Sequence, residues 1–128
     1  MNLSEVTCPH GQHLLADFHG VPASKLADPV LIETALRQAA VAAGATPIHG
    51  HFHHFGEGQG VTGVLLLQES HISIHTWPED NFAAIDVFMC GAAQPRQALI
   101  TLQQLLAPSN CWITDHRRGR LPVEPHLT

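Results

Sequence analysis

Three extended runs lie almost end to end between residues 61 and 89: "VTGVLLLQ", "SHISIHTW" and "FAAIDVFM". No connector between them is long enough to hold a helix. A parallel pairing needs a crossover of roughly a dozen residues or more, so strands joined this tightly must pair antiparallel. That requirement limits the chain more than any other feature. "GQHLLADF" (11–18), "TPIHGHFHHF" (46–55) and "CWITDHRR" (111–118) read as three further strands. Two helices complete the pattern. The first has Asp28 as cap, Pro29 at its first turn and an apolar stripe through Leu31, Ile32, Ala35, Leu36, Ala39, Ala40 and Ala43, and stops at Gly44. The second begins near Pro95. The order β-α-β-β-β-β-α-β predicts an α+β two-layer sandwich, a mainly antiparallel sheet with two helices on one face. "VTGVLLLQ" reads as a strand buried on both sides or nearly so.

The chain has 128 residues, of which 45% are apolar and 13% charged. One domain of that length has a real core, yet too little charge to cover its own surface. Dimerisation, uncovered sheet against uncovered sheet, is the expected remedy. A net charge of -5 without a basic run argues against nucleic acid and suits a cationic small molecule. The first fifteen residues lack a signal-peptide pattern, and no apolar stretch approaches the roughly 20 residues that span a bilayer, so the expected location is the cytoplasm. Cys8, Cys90 and Cys111 give no disulfide framework. The tail from Pro122 reads as loose.

Candidate chemistry concentrates in "QESHISIHTWPED" (68–80). Ile72 and Ile74 share one strand face, His71, Ser73 and His75 the other. A hydrolase triad of Ser70, His75 and Cys90 fits poorly, because Ser70 heads an extended segment where an exposed elbow would be needed. His49, His51 and His53 alternate on one strand, a spacing open to metal. With no Cys or carboxylate beside them, a polar face is the preferred reading, and no metal is expected. Cys90 reads either as a core thiol or as a strand-end proton donor. Glu79, on a turn, and Phe55, at a loop mouth, gain meaning only if the two loops meet.

The stretch "GVTGVLLLQESHISIHTWPEDNFAAIDVFMCG" (60–91) resembles the prokaryotic-type S-adenosylmethionine decarboxylases, pyruvoyl enzymes of polyamine synthesis. "HLLADF", "AAGAT", "FHHF" and "DHRRGR" follow the same family in order, so the resemblance spans roughly residues 11 to 120. It implies a self-cleaving proenzyme. Ser70 attacks the carbonyl of Glu69, and the ester then eliminates. Fragments 1–69 and 70–128 remain, the second starting with a pyruvoyl group that captures substrate as a Schiff base. The resemblance also implies His75 as processing base, Thr62 as processing hydroxyl, Cys90 as proton donor, and Phe55 and Glu79 as substrate contacts. A homodimer would build each site from both protomers and make the aminopropyl donor for spermidine. Thr62 stands where serine is usual, His19 where tyrosine is common and His54 where arginine is common. Relatives that decarboxylate arginine or ornithine form one alternative, and an unprocessed, non-catalytic binding or regulatory subunit the other. Strict alternation sets Ser70 on the opposite face from His75. A bulge near Ser70, or release of the new terminus, would bring them together.

Overall fold

The computed structural model describes residues 10–120. Cys8 and the tail from Pro122 lie outside them. Strands β1 (Gly11–His19), β2 (Pro47–His54), β3 (Val61–Leu67), β4 (Ser70–Trp77), β5 (Phe82–Met89) and β6 (Asn110–Arg118) form one sheet in the order β2-β3-β4-β5-β1-β6. Every neighbouring pair is antiparallel. The expected meander is β2 to β5, and β1 inserts between β5 and β6. Strands β1 and β2 therefore run parallel to one another, as do β5 and β6, and each of these pairs is linked through helix.

Helices α2 (Pro29–Ala42) and α3 (Pro95–Leu106) are those expected from the sequence. A third helix is added, α1 (Ala23–Leu26). Four residues are too few to show helical periodicity, so this turn left no signal in the pattern. Asp28 caps α2, its Oδ1 accepting from the N–H groups of Val30 and Leu31 at 3.1 Å each. Gly44 ends it at φ +76°, where a side chain would be strained, and the Ala45 N–H closes on the Ala40 carbonyl.

The core lies between the helices and one sheet face. Leu14, Ala16 and Phe18 of β1, Ile72 and Ile74 of β4, and Ile85, Val87 and Met89 of β5 alternate inward against Ile32, Leu36, Leu102 and Leu106. β3 corrects the sequence reading. Val61, Gly63, Leu65 and Leu67 are buried while Thr62, Val64 and Leu66 are partly or well exposed, so the strand is covered on one side only. Its apolar outer residues belong to an open sheet face, which composition alone could not separate from a buried one. His49, His51 and His53 are exposed on β2, whose register shifts between Pro47 and His49. No group of three or more His, Cys, Asp or Glu side chains among the described residues is arranged to hold a metal ion. Likewise, no helix among them is long and apolar enough to cross a membrane.

The cap predicts a local sensitivity. Asp28→Ala should lower stability by about 1 kcal/mol. Calorimetry should read this as a fall in Tm of about 4 °C, and an unchanged Tm would show that the two capping bonds add nothing.

Candidate active site

Strands β3 and β4 carry Thr62, Ser70 and His75, and the loops and strand ends around them carry Phe55, Glu69, Glu79 and Cys90, at two separate ends of the ladder. The first end is the two-residue turn between β3 and β4. Leu67 and Ser70 pair to close it. Two-residue hairpins favour positive φ within the loop. Here the positive value falls on Ser70, at +145°, a conformation that strains a residue with a side chain. Glu69 is held from both sides. Its carbonyl accepts from the Cys90 N–H and from the Cys90 thiol, each at 3.1 Å. Its carboxylate accepts from the Thr46 N–H at 2.9 Å, and the Gln68 N–H donates to the Thr46 carbonyl. Cys90 is half-buried. The peptide before Ser70 is thus polarised by two donors and joined to a strained residue with its own hydroxyl, a setting suited to attack on that carbonyl.

The second end holds Thr62 and His75, opposite each other across β3 and β4. Thr62 Oγ1 and His75 Nδ1 are 3.1 Å apart. Beside them opens a cleft of about 280 Å³ whose walls include Phe55, Gly60, Thr76, Trp77 and Glu79. Trp77 stacks on Phe82, which stacks on His19, while the His53 ring meets Phe55 edge-on. The loops of Phe55 and Glu79 therefore meet. Flat aromatic walls with one carboxylate suit a ligand that has a ring, hydroxyl groups and positive charge.

The two ends are not brought together within one chain. Ser70 and His75 are five residues apart on an extended strand, about 17 Å at the usual rise. β4 keeps a continuous register, so no bulge closes the gap. Ser70 has the parity of the covered residues Ile72 and Ile74, His75 that of the open face. Sequence reasoning missed the wall residues Trp77 and Gly60, although alternation already set Trp77 on the face of His75. It also missed Thr76, a polar residue in the otherwise apolar register of Ile72 and Ile74.

Between the ends, the open face carries a charged cluster around His13. Its ring lies against Phe88 and near His71, and its Nε2 is 3.6 Å from Asp86 Oδ2, beyond hydrogen-bond length. That nitrogen is buried and has no hydrogen-bond partner among the described residues. Loss of hydration holds His13 below its usual 6.5; Asp86 opposes the shift, while His71 and Arg118 add to it.

These features define a class: a two-layer α+β protein with a strained serine heading an inner strand, its preceding carbonyl gripped by a cysteine. Comparison with known proteins narrows it. The family model described as S-adenosylmethionine decarboxylase matches residues 12–119, and the chain belongs to that family. A protein of Thermotoga petrophila named S-adenosylmethionine decarboxylase proenzyme is 41% identical over 111 residues, 86% of this chain and 85% of that one. One of the same name from Prochlorococcus marinus is 46% identical over 109 residues, 84% of this chain and 86% of that one. The crystal structure of the adenosylmethionine decarboxylase from Aquifex aeolicus superposes with a TM-score of 0.81 at 37% identity, covering 94% of this chain and 98% of that one.

The His13 cluster gives a pH prediction. A histidine held below 6.5 binds its proton less readily folded than unfolded, so its contribution to stability is present above pH 6.5 and is lost as pH falls through that value toward the folded pKa. Unfolding in urea between pH 5 and pH 8 should show stability rising with pH, and His13→Gln should flatten that slope. An equal slope in the variant would assign the dependence to other groups.

Proposed function

We propose that this protein is a self-cleaving S-adenosylmethionine decarboxylase, a cytoplasmic homodimer cut between Glu69 and Ser70. The observation that carries the reading is the grip of Cys90 on the Glu69 carbonyl beside the strained Ser70. Attack of Ser70 Oγ on the Glu69 carbonyl carbon puts negative charge on the carbonyl oxygen, where the Cys90 N–H and thiol already donate. The C–N bond then breaks, the amine takes a proton, and an ester links Glu69 to Ser70. Removal of the Ser70 Cα proton expels the Glu69 carboxylate. The dehydroalanine left behind takes up water and releases ammonia, so residue 70 becomes pyruvoyl. Distortion at Ser70 favours this path, since cleavage releases the strain.

The proton steps need a base. Thr62 Oγ1 and His75 Nδ1 share one hydrogen bond; in the tautomer that donates Nδ1–H to Thr62, His75 keeps the Nε2 lone pair a base requires. A single chain leaves it about 17 Å short of Ser70. A second copy laid on the open face, its strands reversed, brings the partner's His75 end over this chain's Ser70 end. Face-to-face sheets lie about 10 Å apart, so the partner's imidazole spans most of the gap to the Ser70 backbone, whose Cα proton it would remove, while the Ser70 side chain keeps the covered parity. Each dimer then has two composite sites.

A pyruvoyl group supplies an electron sink for the carbanion left by loss of carbon dioxide. The chain's own residues do the rest. Phe55 and Trp77 offer ring faces to adenine and to the sulfonium charge. Glu79 can accept from both ribose hydroxyls. The Cys90 thiol, half-buried beside residue 70, holds a proton for the substrate α-carbon.

Denaturing mass spectrometry should find fragments 1–69 and 70–128, the latter ketone-terminated, and carbon dioxide should be released from S-adenosylmethionine but not from arginine or ornithine. A full-length chain after long incubation, or release only from an amino acid, overturns the proposal. Cys90→Ala should still cleave, because the N–H donor remains, yet decarboxylate about 100-fold more slowly. Ser70→Ala and His75→Ala should each block cleavage alone. Co-expressed, they form heterodimers in which one site has both residues intact, so the His75→Ala chain should be cut. No cleavage in the mixture would show that the two residues do not meet across the interface.

A further inference from the structure

We infer that Thr76 is a positioning residue for the substrate cleft, its hydroxyl coupling both cleft walls to helix α1. The inference rests on the proposed function and names what sets the shape of that site. Thr76 is the one buried polar residue in the core of the described chain, 6% exposed. Its Oγ1 donates to the Leu26 carbonyl at 2.7 Å and accepts from the Val61 N–H at 2.8 Å. Both capacities of the hydroxyl are used, each on a different element: the end of α1 and the start of β3.

The consequences run to either wall. Thr76 directly precedes Trp77, Pro78 and Glu79. Next to Val61 is Gly60, which packs so closely on the Thr76 carbonyl that a Cβ there would lie 2.0 Å from it. The Gly60 carbonyl accepts from the Phe55 N–H at 3.1 Å. One hydroxyl therefore fixes the floor from which Phe55 rises on one side and Glu79 on the other. A second clamp pins the segment leading into α1 to the same turn. Asn81, at φ +52°, donates its Nδ2 to the Val21 carbonyl and accepts the Val21 N–H on its own carbonyl. Segment 21–26 thus backs the Trp77–Glu79 turn through Asn81 and Thr76. A valine at position 76 keeps the shape and the packing but leaves the Val61 N–H and the Leu26 carbonyl unpaired in the interior, which they avoid by shifting. The walls then lose registry with each other, while the Cys90 and Ser70 end is untouched.

Steady-state decarboxylation of S-adenosylmethionine by processed wild type, Thr76→Val and Thr76→Ser tests this, with cleavage measured by mass spectrometry and exchange of the Phe55 amide measured without substrate. Thr76→Val, assayed on its cleaved fraction because His75 and Thr62 adjoin the altered bonds, should raise KM about tenfold and hold kcat within about threefold of wild type. Its Phe55 amide should exchange at least about tenfold faster. Thr76→Ser, which keeps the hydroxyl, should return both readings to within about twofold of wild type. Unchanged KM and Phe55 exchange in Thr76→Val overturn the inference, as does a Thr76→Ser as impaired as Thr76→Val. Should Thr76→Val not fold, Thr76→Ala is compared with Thr76→Ser on the same readings. If wild type does not decarboxylate S-adenosylmethionine, the proposed function falls on its own. The amide exchange still decides the coupling: faster in Thr76→Val supports it, unchanged overturns it.

Discussion

The pairing register of β3, β4 and β5 fixes Thr62, Ser70 and His75 and the strand ends from which the rest of the site is built. Side chains alternate along a strand, so a slip of one residue would exchange the two faces of β4. Ile72 and Ile74 would leave the core, and Ser73 and His75 would be driven into it. The apolar residues of one parity therefore hold the polar residues of the other. Placing Leu67 opposite Ser70 and Ile72 opposite Val87 also places Thr62 opposite His75 and brings Glu69 to Cys90. The chemistry needs no separate scaffold; it occupies the positions and turn that the core leaves over.

That dependence explains how much of the fold was legible in the sequence. Short connectors forced antiparallel pairing, and Asp28, Pro29 and Gly44 marked a helix at both ends, as observed. Nothing local could place β1 between β5 and β6, because that neighbourhood depends on which edge remains free after the meander forms. "VLLL" misled for a related reason. Apolar outer residues signal burial, but not whether the burial comes from the same chain. Leu66, 45% exposed, lies on the sheet face away from the helices.

The site was legible in kind and not in geometry. Glu69, Ser70, His71, Ser73 and His75 stood out as an odd polar strand, and only the resemblance to a family gave roles, to Glu69, Ser70 and His75 among them. Spacing gave the parity conflict between Ser70 and His75 correctly. The continuous register of β4 removes a bulge as the remedy; release of the new terminus and a meeting across the proposed dimer remain the two routes. Contacts made by the backbone were wholly hidden. Cys90 reaches Glu69 across 21 positions in sequence. Thr76 was missed as well: its polarity in an apolar register was open to notice, while its two partners, Val61 and Leu26, could come only from the fold.

The composition of the open face bears on the proposed assembly. Of the eleven histidines in the chain, His13, His19, His49, His51, His53, His71, His75 and His116 fall on the uncovered parity of the strands. A solvent face would ordinarily carry lysine and glutamate, whose charges resist burial. Imidazole is polar enough to keep an unpartnered protomer in solution, and its flat ring and two nitrogens can also pack and hydrogen-bond when the face is covered. His13 already follows this logic within one chain, where partial burial favours its neutral form despite Asp86. A chain with only 13% charged residues and helices on one side of its sheet has few other means of serving both states. The same face carries His75, so in the proposed dimer the surface that hides the sheet would also be the surface that completes the site.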